Sequence, residues 1–141
     1  MSEPLFHRAA GPVTPAPFPL VDRTSFLEGM SRVAMAVSIV TTDGIAGRDG
    51  LVVTAMTPVA ADMERPMLLT CIKATSRPAN VIERNGVFCV SVLAEQHAEL
   101  SDSFAGRHGH GHDWFAAGRW SRLRTNAPAL DGALANFDCE I

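Results

Sequence analysis

The sequence has no apolar run long enough to cross a membrane as a helix. Such a span needs roughly 18 to 20 apolar residues, and polar or charged residues interrupt every run of this 141-residue chain well before that length. The sequence also shows no charged-then-apolar export signal at its start. Its three cysteines are odd in number and poorly suited to a disulfide framework. These absences predict a protein of the reducing cytoplasm with no membrane partner.

Basic residues are too few and too scattered to form a face for nucleic acid. Lys and Arg together number 12 against 15 Asp and Glu, which gives a formal net charge of −3. Binding to a phosphate backbone calls for a concentrated positive patch. We therefore expect no nucleic-acid partner.

The composition is that of one globular domain preceded by a tail. The chain is 47% hydrophobic and 19% charged, which is typical of a globular domain of this length. Residues 1–22 differ because five prolines among small residues favour extended backbone with little apolar surface to bury. We predict a flexible proline-rich tail over residues 1–22 and a single domain over residues 23–141.

Helical spacing of apolar residues predicts three helices. The first covers Ser25–Ala34 and should pack its apolar stripe on a sheet. The second covers Pro78–Arg84 and ends at Asn85-Gly86, where glycine adopts the left-handed cap conformation. The third, over Glu95–Phe104, is amphipathic. All three are short.

Runs rich in β-branched residues predict strands between these helices. The predicted strands are Ala36–Thr42, Leu51–Thr57, Pro66–Ile72, Val87–Leu93 and Ala133–Ile141. Val87–Leu93 is apolar almost throughout, which indicates burial on both faces. Strands at this spacing with only short helices between them predict a mainly β protein, and a closed or nearly closed barrel rather than a wound βαβ sheet.

The segment from Gly50 to Arg77 carries the residues best suited to a ligand. Small and hydroxyl side chains at Thr54, Ala55 and Thr57 leave room for a flat ring. Hydrogen-bond donors for an anionic group follow the next strand, at Lys73, Thr75, Ser76 and Arg77. The pattern suits a phosphorylated cofactor, although hydroxyls on strands and a basic turn are also common on surfaces without a ligand.

Two further groups of residues have alternative interpretations. His108, His110 and His112 alternate with glycine and could present imidazoles to Zn²⁺ or Ni²⁺. A structural site needs four ligands and a rigid shell, so a mobile solvated loop is favoured and no metal is predicted. Cys71 and Cys89, like Cys139, have apolar strand neighbours and are predicted to pack as small buried side chains rather than as redox thiols.

Several segments, taken in order, resemble the flavin reductase-like family, the split-barrel FMN-binding reductases of two-component monooxygenases. The resemblance covers about residues 24–141. It rests on these segments: Phe26…Gly29-Met-Ser-Arg32, Val37-Ser-Ile-Val-Thr-Thr-Asp-Gly44, Thr54-Ala55, Pro66–Ile72, Asn85-Gly-Val-Phe-Cys-Val-Ser-Val-Leu93, Gln96…Leu100-Ser-Asp-Ser-Phe104 and Ala127-Pro…Leu130-Asp-Gly-Ala-Leu134…Cys139.

The resemblance implies an FMN-binding split β-barrel, Greek-key-like, with short flanking helices. It implies a homodimer that binds FMN or FAD near its interface and takes hydride from NADH or NADPH. Reduced flavin would then serve a partner monooxygenase. Hydride passes directly between nicotinamide and flavin, so catalysis depends on proximity and stacking, and no catalytic side chain is predicted.

Carried over residue by residue, the resemblance implies a set of cofactor-binding positions. Thr54 and Ala55 match positions that meet the flavin, and Met56 and Thr57 continue that edge. The strand end beside the ring and ribityl chain is matched by Cys71, Ile72 and Lys73. The position of a phosphate-contacting serine is matched by Thr75, which Ser76 and Arg77 flank.

The sequence also departs from the family pattern. Ala60 and Asp62 replace hydroxyl residues, and an anion at Asp62 within about 4 Å of a phosphate would cost about 4 kcal/mol at an effective dielectric near 20. The family continues past Ile141 with further strands and a histidine-bearing turn linked to nicotinamide binding. We therefore expect either that the C-terminal part is missing or that another polypeptide supplies the remaining strands. These departures leave a second hypothesis, a catalytically weak flavin-binding paralogue that acts as a binding or structural subunit.

Overall fold

A computed structural model describes residues 18–60, 62, 64–107 and 113–141. Most of the predicted tail and the predicted histidine loop, His108–His112, lie outside the described residues. The chain divides after Ala34 into a helical segment and a β unit, Met35–Ile141. Within the described ranges, no helix combines the length and apolar character that a membrane span requires.

The helical segment contains helix α1, Arg23–Ser31. The Asp22 carboxylate caps it by accepting hydrogen bonds from the backbone N–H groups of Thr24 and Ser25, at 2.9 and 3.0 Å. The helix therefore begins two residues before the predicted start. None of its residues is buried, and Phe26 is 54% exposed. The packing of its apolar stripe on a sheet stays a prediction.

The β unit contains eight strands among its described residues: β1 Ser38–Thr42, β2 Asp49–Val53, β3 Met56–Ala60, β4 Met67–Thr70, β5 Val87–Val92, β6 Trp120–Arg122, β7 Pro128–Leu130 and β8 Ala135–Glu140. Its helices are α2 Arg77–Asn85 and α3 Ala98–Phe104, with single 3₁₀ turns at Glu95–His97 and Trp114–Ala117. The mainly β prediction is confirmed. The short strands β6 and β7 were not predicted.

The strands form three antiparallel sheets. The main sheet has the order β2-β1-β5-β8, while β3 pairs with β4 and β6 pairs with β7. The predicted strand Leu51–Thr57 breaks at Thr54-Ala55, so β2 ends in the main sheet and β3 begins in a second one. Among the described residues no ladder closes a barrel, and the predicted closure is not observed.

The two predicted helices of the β unit are confirmed with small changes. α2 begins after the N-cap Ser76 and ends at Gly86, whose φ of 69° is the predicted left-handed cap. The predicted helix Glu95–Phe104 is a 3₁₀ turn followed by α3. Gly106, also at positive φ (74°), follows its end.

Apolar residues on both faces of the main sheet form the core. Ile39 packs on one face with α3 and the segment that contains Phe115. Val40 faces the opposite side, where it joins Val53, Val90 and Ile82 of α2, as the alternation of side chains along a strand requires. Partly buried residues of the β3–β4 hairpin pack against this second cluster. The hairpin and α2 therefore cover the same face of the sheet.

The three cysteines have different environments. Cys89 lies fully buried in β5, where burial raises the pKa of its thiol to about 11. Cys139 is half-buried on β8, and burial raises its pKa as well. Cys71 is exposed because β4 ends at Thr70, one residue before it. The predicted core packing is correct for Cys89 and wrong for Cys71.

Candidate functional site

An open groove of about 340 Å³, here called the apolar groove, lies where β2 crosses into the β3–β4 hairpin. Its lining residues are Met35, Ala36, Thr54, Ala55, Met56, Thr57, Leu69 and Cys71. The structure thus brings together the four predicted residues 54–57 and Cys71, which the sequence places 14 residues beyond Thr57. Most of the lining residues are apolar, and Thr54 and Thr57 are the two that carry hydroxyls.

Two hydrogen bonds at the end of the β3–β4 hairpin connect the two chain segments that line the apolar groove. The carbonyl of Ala55 accepts hydrogen bonds from the backbone N–H of Cys71 at 3.1 Å and from the Thr70 hydroxyl at 3.0 Å. Met56 turns inward and packs on the core. Because Thr54 and Ala55 lie outside both ladders, they remain exposed beside the strand end.

A second groove, of about 450 Å³ and here called the basic groove, lies along α2 and the turn before it. Its lining residues are Ala74, Thr75, Ser76, Arg77, Asn80, Val81 and Arg84. Residues three, four and seven positions apart share one face of a helix, so Arg77 and Arg84 stand on the same side of α2. Ile82 on the other side is buried in the core.

Arg77 is held by a carboxylate that the sequence analysis did not single out. Its Nε donates to Oδ2 of Asp49 at 2.8 Å. The hydrogen bond to Asp49 and the charge of that carboxylate raise the pKa of Arg77 further above its ordinary value. Arg77 thus lines the basic groove with one of its N–H groups bound to Asp49, which does not line it.

The other end of α2 is fixed by Asn85. Its side-chain oxygen accepts from the N–H of Ala46 at 2.8 Å, and its amide donates to the carbonyl of Gly47 at 2.9 Å and to the Thr42 hydroxyl at 3.0 Å. Both ends of α2 are therefore bound to the β1–β2 hairpin. This arrangement limits the movement of the face that carries Arg77 and Arg84.

Two predicted site residues line neither groove. Ile72 is half-buried and packs against the core beneath the hairpin. Lys73 is exposed, and its carbonyl accepts from the N–H of Ser76 at 2.9 Å. Both lie in the segment that connects the two grooves.

The repulsion predicted between Asp62 and a flavin phosphate stays a prediction. The register pairs Met56 with Thr70 and Ala60 with Met67, so Asp62 follows the far end of the hairpin. At about 3.3 Å per residue, that end lies on the order of 20 Å along the strand from Ala55. Asp62 is exposed and lines neither groove.

Several residues that line the two grooves were not predicted from the sequence. The position of Leu69 in the lining could have been predicted from strand alternation, since it lies two residues before Cys71 and shares its face. Asn80 and Arg84 follow from helical spacing relative to Arg77. Asp49 has no such signal, because its contact with Arg77 spans 28 residues. For metal, the described part of the chain contains no cluster of three or more ligating His, Cys, Asp or Glu.

The two grooves are neighbours along the chain. Cys71 lines the first and Ala74 the second, and three residues span at most about 10 Å. Binding sites commonly combine an apolar wall with a few placed polar groups. This site is therefore chemically suited to an elongated ligand with a flat apolar ring and an anionic group, and the fold that holds it is mainly β.

Comparison with known proteins agrees with this class. The profile of the flavin reductase like domain matches residues 30–141, and the chain belongs to this family. A protein of Variovorax paradoxus named FMN reductase (NADH) RutF is 42% identical over 123 residues, which are 87% of this chain and 67% of that protein. A protein of Methylorubrum extorquens named FMN reductase (NADH) RutF 1 is 44% identical over 86% of this chain and 59% of its own length. The chain thus spans about three-fifths to two-thirds of these relatives.

Solved structures share the fold. YcdH of Haemophilus somnus 129PT, assigned as a flavin reductase, superposes with a TM-score of 0.77 at 36% identity, covering 86% of this chain and 76% of that one. BorF, the flavin reductase component of a bacterial two-component tryptophan halogenase, superposes with a TM-score of 0.73 at 29% identity, covering 84% and 74%.

Proposed function

We propose that this protein is an NAD(P)H-dependent flavin reductase that passes hydride from a nicotinamide to FMN or FAD and supplies reduced flavin to a monooxygenase. The observation that carries the proposal is the apolar groove next to the basic groove in a chain of the flavin reductase like family. The names of the relatives, FMN reductase (NADH), favour FMN and NADH.

The residues of the apolar groove suit the flavin ring. The ring would lie against Thr54–Thr57 and Cys71, with Met35 and Leu69 shielding it from water. Thr54 and Thr57 offer hydroxyls for its polar edge. Ile72 would support this wall from the core.

The residues of the basic groove suit the flavin phosphate. Arg77 and Arg84 supply charged donors, and Thr75 supplies a hydroxyl. Ser76 already accepts a weak hydrogen bond from the Ala79 N–H at 3.4 Å as the helix cap, and its hydroxyl proton remains for a ligand. Lys73, between the grooves, would add a positive charge.

A bound flavin supplies the hydride-accepting chemistry itself. The chain contributes by holding the ring in one orientation and by keeping one of its faces dry, which makes proximity the main source of rate. No side chain in either groove is assigned as an acid or a base.

We further propose a cytoplasmic homodimer with a split-barrel domain, with residues 1–22 as a tail and residues 23–141 in the domain. Val59, Met67 and Leu69 on the hairpin are each half exposed or more, and apolar groups on such a surface favour association. The exposed thiol of Cys71 suits a reducing compartment. The expectation of further C-terminal strands stays a prediction.

The test is a flavin titration followed by reduction. Purified protein is titrated with FMN and FAD, and NADH or NADPH is then added without oxygen while the visible flavin band is monitored. We expect binding and bleaching much faster than for free flavin. Binding without bleaching would favour the second hypothesis, a flavin-binding subunit, and no binding would overturn the assignment of both grooves.

A further inference from the structure

The buried carboxylate of Asp49 forms an ion pair with the exposed side chain of Arg77. The side chain of Asp49 on β2 is 1% exposed, whereas the side chain of Arg77 is 76% exposed. The Nε–Oδ2 distance is 2.8 Å. The second carboxylate oxygen accepts from the backbone N–H of Gly50 at 2.9 Å. Both oxygens are occupied, so the carboxylate has one orientation.

Stability alone does not account for this pair. Removing a carboxylate from water is costly, and an ion pair with a largely exposed partner returns little of that cost. A neutral side chain at position 49 would avoid the cost altogether. The geometry instead suits a role in fixing the direction of Arg77.

The pair leaves most of the guanidinium available. Arginine has five N–H donors in a planar fork, and only Nε has a partner in the described part of the chain. The remaining donors belong to the two terminal nitrogens, on the end of a side chain that lines the basic groove. A fork held in place loses less freedom on binding a phosphate than a mobile one.

We propose that Asp49 is a positioning residue that holds the Arg77 fork toward the phosphate of the bound flavin. This inference rests on the proposed function, which places that phosphate in the basic groove. Asp49 itself does not touch the ligand. Its effect is therefore specific for ligands that carry the phosphate.

The experiment compares FMN with riboflavin, which has the same ring and ribityl chain but no phosphate. The ratio of their affinities is measured for the unaltered chain, Asp49→Asn, Arg77→Ala and the double variant. We expect Arg77→Ala to lower the FMN preference about tenfold, as for a lost charge-assisted hydrogen bond. Asp49→Asn should lower it several-fold, with riboflavin affinity unchanged, and should have no further effect in the Arg77→Ala background.

Asp43→Asn is the matched control. Asp43 also pairs with an arginine, Arg122, at 2.7 Å, but it lines neither groove, and its replacement should leave the affinity ratio unchanged. Two results would overturn the role of Asp49 but leave the proposed function standing. One is an unchanged FMN-to-riboflavin affinity ratio in a folded Asp49→Asn variant, and the other is an equal loss of FMN and riboflavin binding. If the unaltered chain showed no FMN preference, the phosphate site of the proposed function would fail together with the role of Asp49.

A further variant covers the case in which Asp49→Asn does not fold. Arg77→Lys keeps the positive charge but has no planar fork. A lost FMN preference in Arg77→Lys supports an oriented guanidinium. A retained preference means that charge alone is sufficient, and it overturns the inference.

Discussion

At the scale of single residues, the two grooves assign different roles to two threonines. Thr75 lines the basic groove and Thr57 the apolar one. Thr75→Ala should weaken FMN binding by about 1–3 kcal/mol through a lost hydrogen bond to the charged phosphate, and riboflavin binding should not change. The measurement is a fluorescence titration with both flavins.

Thr57→Ala serves as the comparison, because any loss in the apolar groove should affect FMN and riboflavin alike. Lys73→Ala should weaken FMN binding less than Thr75→Ala, since Lys73 lines neither groove. A larger effect at Lys73 would mean that the phosphate lies nearer the connecting segment than proposed.

The exposure of Cys71 in the apolar groove makes it a reporter of occupancy. An alkylating reagent should modify Cys71 first because its side chain is exposed, and saturating FMN should slow that reaction severalfold. Cys89 should not react in the folded protein, because its raised pKa of about 11 keeps the buried thiol protonated. As the pH rises past the ordinary thiol pKa, reaction at Cys89 should lag behind that of an ordinary thiol.

Peptide mass analysis of the alkylated sites distinguishes the thiols. The Cys71→Ser variant should lose the FMN-sensitive reaction and keep its fold. Equal alkylation of Cys71 with and without FMN would place the ring outside the apolar groove.

At the scale of elements, α2 carries Arg77 and Arg84 of the basic groove and is hydrogen-bonded to the β1–β2 hairpin at both ends. Asn85 makes three hydrogen bonds to the β1–β2 hairpin, so Asn85→Ala should lower the free energy of unfolding by roughly 2–3 kcal/mol. FMN binding should weaken too, because both arginines of the basic groove stand on α2. Urea unfolding and FMN titration measure the two effects.

Asn136→Ala is the matched control for this element. Asn136 donates a single side-chain hydrogen bond, to the Leu130 carbonyl at 3.0 Å. The expected loss is about 1 kcal/mol, with FMN affinity intact. If the free energy of unfolding of the Asn85→Ala variant is no lower than that of the Asn136→Ala variant, α2 is held mainly by Ile82 and the core.

At the scale of the whole molecule, the exposed hairpin should join two copies. Val59 on β3 is 57% exposed and lines neither groove. If the hairpin face is the dimer interface, Val59→Asp should convert the protein to a monomer of 15.1 kDa, because a buried charge opposes association. Sedimentation equilibrium gives the mass directly.

Ile45 offers the control, since it is 92% exposed at the β1–β2 turn. Ile45→Asp should leave the mass unchanged. If the Val59→Asp variant is still a dimer, or if the unaltered chain is a monomer, the hairpin is not a dimer interface.

Much of the local structure was predictable, because it depends on neighbours in the chain. Gly86 ends α2 since glycine alone adopts positive φ without steric cost, and the strand over Val87–Val92 follows from a run of β-branched and apolar residues. Residues 54–57 and 71 were predicted as one site, and the structure brings them together. The burial of Cys71 was predicted wrongly because β4 was expected to reach Ile72 and ends at Thr70.

Residue type and local spacing were enough to predict the mainly β composition, the cap of α2 and the groove residues Thr54, Ala55, Thr57 and Thr75–Arg77, and the order of several segments indicated the family. Only the tertiary structure determined that the chain leaves the main sheet at Thr54-Ala55. The same is true of the position of α2 against the β1–β2 hairpin and of the contact between Asp49 and Arg77. Those outcomes depend on contacts between residues distant in sequence, where packing and the pairing of a buried charge select one arrangement among many.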